Sequence, residues 1–345
     1  MRKIILFFIL AFFVCTTQAS SSDSSLSVIS QVLTHFARSN FHWQCNKPNT
    51  QSLNSSHSVQ WSQLTCRGKY PPLLHIRRGA DTGDLKINLI DTDLSDPHIE
   101  LTPVIAKKND STDPYKQKLV VMGHENPSLL AGINGGYFYI NSKQRDINCF
   151  EKTNKQYTSD GIGDGLLIIH SKTLSTNCRS RFFAEPNRST ILLDDQHHWM
   201  ITAVPPHTSP NNIIHALGAG PGLIQTIHGK PEIRETWEGI VSSFEFSANS
   251  AVILAKDSLN HQHVIFFTVD GIDKEKGMYS TEMANFIYNQ IPSLLNVKLI
   301  SAMSLDQGGS TTMYVRAAHP QIITQANRNN SQREIFNGLF VREKN

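Results

Sequence analysis

Short apolar runs, separated by Gly, Asn, Asp and Pro, dominate the chain from about Leu85 onward. Between Leu85 and Asp91 apolar and polar residues alternate, which is the pattern of a strand with one buried face. Residues 165–169, 251–255 and 263–269 are continuous apolar runs of the length expected for buried strands. Because turn-forming residues separate these runs, the pattern predicts a β-rich body.

Two segments instead carry apolar residues at helical spacing. One follows a Ser-rich stretch near the N-terminus, and the other begins at Ser280, which can cap it, with Glu282 close to its positive end. The apolar faces consist of Ile29, Val32, Leu33 and Phe36 in the first segment and of Met283, Phe286, Ile287 and Ile291 in the second. The predicted fold class is therefore α+β, with β-rich mixed sheets and a few flanking helices.

The N-terminus has the pattern of a secretory signal peptide. Arg2 and Lys3 precede an apolar run at 4–14, and small residues at 17–19 suit cleavage. The run is short for a bilayer span, and no later segment approaches the length of a membrane helix. We therefore predict a signal peptide over 1–19 and an exported protein, periplasmic or secreted.

The remaining chain divides into two predicted parts. Residues 20–75 read as an N-terminal extension, mostly loop-like after its helix, and residues 76–345 read as a single catalytic domain. No internal repeat or low-complexity linker interrupts that domain. A lipoprotein would use Cys15 as the lipidated residue, but the preceding Val14 is a poor neighbour for that processing.

Four cysteines remain once the predicted signal peptide is removed: Cys45, Cys66, Cys149 and Cys178. An even number in an oxidising compartment predicts two disulfides, for which three connectivities are possible. The short loops that would be closed favour Cys45 with Cys66 and Cys149 with Cys178. The spacings do not match a paired-cysteine zinc motif.

Composition and charge narrow the class of partner. The 345 residues are 39% hydrophobic and 18% charged, which is typical of a soluble globular protein. A formal net charge of +3 without any block of Lys or Arg argues against a nucleic-acid partner. Beyond this exclusion, composition and charge name no partner.

The 15 histidines invite a metal interpretation. The pair at 197–198 would point to opposite faces of a strand, and His261 and His263 fall in a segment that resembles a surface turn. Asp93 and residues 160–164 could offer oxygen ligands to a structural calcium ion. We predict no metal and no cofactor, with these histidines as ordinary surface or core residues.

Glycine-containing corners follow apolar runs at 133–138 (INGGYF), 218–222 (GAGPG), 270–271 (DG) and 306–312 (DQGGSTT). Glycine lets backbone N–H groups approach a ligand closely, and several N–H groups aimed the same way bind an anion. Each corner is also compatible with an ordinary tight turn. The last corner, where Asp306 stands beside two glycines and three hydroxyl residues, is the strongest candidate.

These four strings, in this order, resemble the motifs of the phosphodiester glycosidase family. The resemblance extends from about residue 85 to residue 341, and its first and last strings are the most specific. It implies hydrolysis of a sugar–phosphate diester at the anomeric carbon, with release of free sugar and a phosphate monoester. The implied partner is a sugar–phosphate diester or a glycoconjugate that serves as the substrate. Because phosphate is a good leaving group, the chemistry needs anion-binding donors and one carboxylate.

Asp306 is the predicted catalytic carboxylate, as base or nucleophile, and Asp270 is the second candidate, since both follow apolar runs. The predicted substrate-binding residues are Asn134, Gly135, Gly136, Tyr137, Gly220, Asn249, Gly308, Gly309, Ser310 and Thr311. Tyr137 or Phe138 would form an apolar wall for a sugar ring, or both would belong to the core.

Two positions depart from the family pattern. Asn249 stands where relatives carry an arginine, which is a natural phosphate clamp. Gln307 stands at the first glycine of the usual Asp-Gly-Gly-Gly-Ser-Thr, where it would narrow the anion nest or add an amide donor. The candidates for supplying the missing positive charge are Arg179, Arg181, Arg188 and Arg333.

The departures at Asn249 and Gln307 also suit a different class of function. A carbohydrate- or phosphate-binding protein of the same fold would bind such a ligand without consuming it. A metal-dependent phosphodiesterase is a third hypothesis, and it would cut the P–O bond and lose activity with chelators.

Overall fold

The computed structural model describes residues 42–69, 84–107, 116–138, 163–177, 187–234, 247–270, 277–316, 320–325 and 332–344. These residues form mainly β-strands, together with two α-helices and one short 3-10 helix. The prediction of a β-rich body with few helices is confirmed. None of the helices in these ranges is long and apolar enough to cross a membrane.

The strands, in chain order, are β1 (His42–Cys45), β2 (Asn49–Ser52), β3 (Val59–Lys69), β4 (Leu85–Asp93), β5 (Ile99–Ile105), β6 (Leu129–Asn134), β7 (Leu167–Ile169), β8 (Lys172–Ser175), β9 (Arg188–Asp194), β10 (Trp199–Val204), β11 (Ile213–Gly218), β12 (Gly222–Ile227), β13 (Lys230–Ile233), β14 (Asn249–Lys256), β15 (Gln262–Val269), β16 (Lys298–Ser304), β17 (Thr312–Arg316), β18 (Pro320–Gln325) and β19 (Asn337–Glu343). The helices are α1 (Leu119–His124), α2 (Ser280–Leu295) and a 3-10 turn at Gly308–Ser310.

Three sheets organise these strands. The largest has nine strands in the order β1-β3-β4-β15-β14-β16-β12-β13, with β2 also paired to β3. The two five-stranded sheets have the orders β10-β9-β11-β7-β8 and β18-β17-β6-β19-β5. The strand pairs of the described residues are antiparallel throughout, which corrects the prediction of mixed sheets. Short connections such as 257–261, between β14 and β15, permit an antiparallel return but not a parallel crossover.

The nine-stranded sheet is the middle layer of the molecule. Its strand β14 is buried on both faces, which explains the continuous apolar run at 251–255. On one face Ile253 packs in a cluster with Phe286 of α2. On the other face Val252 belongs to a second cluster, which includes Ile133 of β6 and residues of both smaller sheets. The sheet is therefore covered by helix α2 on one side and by the two smaller sheets on the other.

Helix α2 begins at Ser280, as the sequence predicts, and buries the predicted face of Met283, Phe286, Ile287 and Ile291. The cap differs from the prediction. The N-cap residue is Tyr279, whose N–H donates to the Glu282 carboxylate at 3.0 Å. The side chain of Ser280 is thereby available for another contact, which lies at the candidate site.

Residues 42–69 are built into the large sheet, and the prediction of loop-like sequence there is wrong. Strand β3 pairs with β4 from Val59 to Cys66 and with β1 from Cys66 to Lys69. Cys45 lies directly opposite Cys66 in the β1–β3 pair, and the two form the predicted disulfide. The alternation of buried and exposed residues along β3 was obscured by its many polar side chains. The predicted helix before residue 42 and the predicted pair Cys149–Cys178 lie outside the described residues.

Many histidines of this chain are turn residues. Of the nine non-glycine residues with positive φ in the described ranges, five are histidines: His57, His170, His197, His207 and His228. Histidine tolerates the left-handed region better than most residues. The described residues contain no group of three or more His, Cys, Asp or Glu side chains that could hold a metal ion. Five of the 15 histidines therefore have a structural role as turn residues.

Candidate active site

Three of the four glycine corners meet at one end of the strands. The N–H of Asp306 donates to the carbonyl of Gly135 at 3.0 Å, which joins the last corner to the first. The N–H of Gly220 donates to the carbonyl of Ser304 at 3.0 Å, which joins the second corner to the strand leading into Asp306. Strands β6, β11 and β16 therefore deliver their corners to one place.

The backbone of Asp306 is held by side chains from two other strands. Its carbonyl accepts hydrogen bonds from Asn134 Nδ2 at 2.8 Å and from the hydroxyl of Ser250 at 2.9 Å. The Oδ1 atom of Asn134 accepts from the N–H of Thr312 at 3.1 Å. Asn134 is fully buried, and its amide is used at both ends within the protein. The structure thus places this predicted substrate-binding side chain as a brace for the loop.

The Asp306 carboxylate is half-buried, and its Oδ1 accepts from the N–H of Gln307 at 2.9 Å. Burial, and to a lesser extent the charge of Asp164, raise the pKa of Asp306, which comes to about 6. A hydrogen bond from the Ser310 hydroxyl, the charge of Arg333 and the Gln307 N–H oppose that rise. A carboxylate that changes its protonation state near neutrality is suited to general acid–base work.

Arg333 supplies the positive charge beside Asp306. Its Nη1 donates to the hydroxyl of Ser310 at 3.4 Å, and Ser310 in turn contacts Asp306. The guanidinium lies against Gly309, where a Cβ would come within 2.5 Å of Nη2 and 2.6 Å of Cζ. Residue 333 as a whole is exposed, so its remaining donors are accessible from solvent. Of the two candidate arginines that lie within the described residues, Arg333 is the one beside Asp306.

Arg188, the other candidate within the described residues, does not take this role. Arg188 is fully buried and forms an ion pair with Asp164 at 3.2 Å. The N–H of Asp164 donates to the carbonyl of Tyr137 at 2.7 Å, so the pair is attached to the first corner. Arg179 and Arg181 lie outside the described residues. The Asp164–Arg188 pair was not predicted from the sequence. The position of Asp164 between two glycines was the feature that could have indicated it.

The predicted nest of backbone N–H groups is largely used by the protein itself. The N–H of Gly135 donates to the Asn337 carbonyl at 2.9 Å, and that of Gly136 donates to Asn337 Oδ1 at 2.8 Å. The N–H groups of Gly220 and Gly308 donate to the carbonyls of Ser304 and Ala248. Gly135 and Gly136 instead allow close packing, since a Cβ on Gly136 would overlap the carbonyl oxygen of Gly218, whereas Gly220 and Gly308 have positive φ. An anion at this site would therefore depend on side chains rather than on these four N–H groups.

Both departures from the family pattern are buried and bonded within the protein. Asn249 Nδ2 donates to the carbonyls of Ser247 at 3.0 Å and Met278 at 2.6 Å. Gln307 Nε2 donates to the hydroxyls of Ser280 and Ser304. The amide donor of Gln307 thus points away from the predicted nest, and Asn249 secures the segment that precedes α2.

The remaining predicted residues have mixed outcomes. Asp270 follows the end of β15, and its N–H donates to the Lys86 carbonyl at 3.0 Å. Tyr137 and Phe138 are both buried, and Phe138 belongs to a core cluster, which favours the core interpretation for that ring. Thr311 is also fully buried. The Thr311 hydroxyl does not enter the hydrogen bonds described around Asp306.

Comparisons with known proteins bear on the family and the fold of this chain. A family model described as phosphodiester glycosidase matches residues 128–342. The catalytic domain of zebrafish N-acetylglucosamine-1-phosphodiester alpha-N-acetylglucosaminidase, in a form auto-inhibited by its pro-peptide, is similar in fold at 17% identity and a TM-score of 0.55, covering 87% of this chain and 89% of that one. A hypothetical protein from Synechocystis has 15% identity and a TM-score of 0.47, covering 87% of this chain and 64% of that one. The comparison with curated protein sequences gives no match.

Proposed function

Since this chain belongs to the phosphodiester glycosidase family, we propose that it hydrolyses a sugar–phosphate diester at the anomeric carbon, releasing free sugar and a phosphate monoester. The observation that carries the proposal is the Asp306 carboxylate, with its pKa raised to about 6 beside Ser310 and Arg333. The site thus combines the Asp306 carboxylate, which can act as a base near neutral pH, with the Arg333 guanidinium, which can stabilise the leaving phosphate. We propose catalytic roles for Asp306, Ser310 and Arg333.

Asp306 acts in this proposal as the general base. It accepts a proton from a water molecule as the water oxygen forms a bond to the anomeric carbon. The bond from that carbon to the phosphate oxygen breaks, and its electron pair stays on the phosphate. Because a phosphate monoester is a stable anion, the site has little need of a second carboxyl group as acid. Asp164 is unsuited to that second role, since it is buried and paired with Arg188.

Arg333 and Ser310 bind the phosphate in this proposal. A guanidinium makes charge-assisted hydrogen bonds with phosphate oxygens and stabilises the charge that grows on the leaving group. The position of Arg333 supports this role, because its guanidinium contacts Ser310 while residue 333 as a whole is exposed to solvent. Support also comes from Gly135, Gly136, Gly220 and Gly308, whose N–H groups are bonded elsewhere and leave the phosphate to side chains.

The zebrafish relative's name suggests the first substrate to try, an N-acetylglucosamine 1-phosphate alkyl diester. The reaction is run in water enriched in heavy oxygen, and the products are separated by mass. Cleavage at the anomeric carbon places the label on the free sugar, whereas cleavage of a P–O bond places it on phosphate. Unlabelled sugar would contradict the proposal. Asp306→Asn should abolish release, and Asp195→Asn, an exposed turn residue, is the matched control.

A binding protein without turnover is the second candidate. It is favoured by Asn249, a buried amide at a position where relatives carry an arginine. If the diester binds and is never consumed, while Arg333→Ala abolishes binding, this second function replaces the first. We also propose that the protein is exported, because of its N-terminal pattern and the Cys45–Cys66 disulfide.

A further inference from the structure

The side chain of Gln307 forms a buried link between helix α2 and the loop that carries Asp306. Residue 307 is 7% exposed, and its Nε2 donates to the hydroxyl of Ser280 at 3.1 Å and to that of Ser304 at 3.0 Å. Ser280 is the first residue of α2, and Ser304 is the last residue of β16. One amide group therefore holds the start of a helix and the end of a strand together.

The orientation of this amide follows from its partners. The hydroxyl of Ser304 donates to the Leu305 carbonyl at 3.1 Å, or to the Ser250 carbonyl at 3.4 Å, so its single proton is used. It can then only accept from residue 307, which requires the NH2 group of the amide on that side. Both hydrogen bonds of Gln307 thus have a fixed direction, and a carboxylate at this position could not replace them.

The main chain of Gln307 reaches the candidate catalytic group directly. Its N–H donates to Asp306 Oδ1 at 2.9 Å. The direction of that N–H depends on the peptide plane between residues 306 and 307. The Asp306 carbonyl at one end of this peptide is held by Asn134 and Ser250, and residue 307 at its other end is held by its own side chain. The Gln307 side chain therefore helps to fix the N–H that donates to the Asp306 carboxylate.

We propose that Gln307 is a positioning residue for Asp306: its amide clamps the loop onto Ser280 and Ser304, which holds the Asp306 carboxylate in its half-buried setting. The role in catalysis rests on the proposed function, whereas the clamp itself does not. A glycine at position 307 would keep the N–H but lose both side-chain hydrogen bonds. With a glycine at 307 the loop would keep the Asn134 and Ser250 hydrogen bonds, and this chain adds to them the support of helix α2.

The test uses the full chain with Gln307→Gly, Ser280→Ala and the double variant. The first readout is the pKa of the Asp306 carboxyl group, followed by carbon NMR and assigned by its absence in Asp306→Asn. We expect the pKa to fall from about 6 toward the ordinary aspartate value in Gln307→Gly, because a released loop exposes the carboxylate to water. Burial is the largest cause of the raised pKa, so its loss outweighs the loss of the Gln307 N–H donor, which acts in the opposite direction. An unchanged pKa in a folded Gln307→Gly protein would overturn the proposal.

The second readout is turnover of the diester. Gln307→Gly should lower kcat by about tenfold with little change in KM, since the carboxylate is misplaced but the phosphate contacts remain. Ser280→Ala should give a smaller effect in the same direction, and the double variant should equal Gln307→Gly because the two residues share one bond. Additive effects would show that Gln307 acts by another route and would overturn the proposal.

Gln262→Gly is the matched control. Gln262 also uses its amide as a clamp, donating from Nε2 to the Trp199 carbonyl at 2.8 Å, at the opposite end of β15 from the site. It should lose stability without changing the Asp306 pKa or kcat. If the wild-type protein turns over no diester, the proposed function fails, but the NMR readout still decides whether Gln307 positions Asp306.

Discussion

Asn134 and Asp306 are 172 positions apart in the chain, yet the amide of Asn134 donates to the carbonyl of Asp306 at 2.8 Å. The same amide accepts from the N–H of Thr312 on the far side of the 3-10 turn. One buried side chain on β6 thus closes the loop that carries the candidate catalytic carboxylate. The first and last sequence motifs form a single structural unit for this reason.

Asn134→Asp should unfold this unit. The substitution keeps the shape but replaces the donor with a buried carboxylate that faces the Asp306 carbonyl. We expect a loss of about 3 kcal/mol in the free energy of unfolding, measured in urea, together with loss of turnover. Asn260→Asp is the control, since Asn260 is an exposed turn residue and should change stability by less than about 0.5 kcal/mol. Equal stability of the two variants would show that Asn134 does not brace the loop.

The pH dependence of turnover should report the ionisation of Asp306. A general base works only when it is ionised, so kcat/KM should rise with pH and level off above about pH 6. The charge of Arg333 lowers the Asp306 pKa. Removing it should therefore raise the pKa and move the rising limb to higher pH. The pH profile of kcat/KM for Arg333→Ala is compared with that of Arg67→Ala, which removes an exposed arginine of β3. A shift of the rising part of the profile to lower pH would contradict this assignment.

Arg333→Ala should discriminate between charged and neutral substrates. Loss of the phosphate contact should cost about 3 kcal/mol, or about a hundredfold in kcat/KM for the diester. A nitrophenyl glycoside of the same sugar has no phosphate, so its hydrolysis should change much less. The two substrates are compared in wild type, Arg333→Ala and Arg67→Ala. A similar loss with both substrates would mean that Arg333 supports the loop and does not bind phosphate.

Gly309→Ala should mimic the loss of Arg333 without removing it. The new Cβ would meet the guanidinium at 2.5–2.9 Å, and the flexible arginine side chain would have to move. We expect weaker binding of a phosphate monoester, measured by calorimetry, with nearly unchanged stability. The double variant Gly309→Ala/Arg333→Ala should bind no more weakly than Arg333→Ala alone. Further weakening in the double variant would show that Gly309 contributes by itself.

The Cys45–Cys66 disulfide should stabilise the edge of the large sheet. It joins residues 21 positions apart and directly opposite each other in the β1–β3 pair. Replacing both cysteines by serine should lower the free energy of unfolding by about 3 kcal/mol. Turnover should be unchanged at moderate temperature, because β1 lies at the other edge from β16 and β12. A loss of activity in the folded double variant would indicate a contact between this edge and the site.

The sequence by itself determined the local elements. The alternation from Leu85 fixed strand β4, and the apolar run at 251–255 predicted a strand that is buried on both faces. The helical spacing after Ser280 defined α2, and short separation favoured the Cys45–Cys66 pair. These features follow from the period of side chains along one segment, or from its immediate neighbours, so no distant contact was needed to predict them.

Only the tertiary structure decided how the site is assembled. A glycine corner can offer its N–H groups to an anion, but those of Gly135 and Gly308 are taken by Asn337 and Ala248, which the local sequence does not identify. Arg333 reaches Asp306 through Ser310 because β17, β6 and β19 are neighbours in one sheet. Hydrogen-bond partners and charge neighbours depend on distances between remote segments. A sequence motif can therefore name Asp306, whereas the fold sets its pKa and its partners.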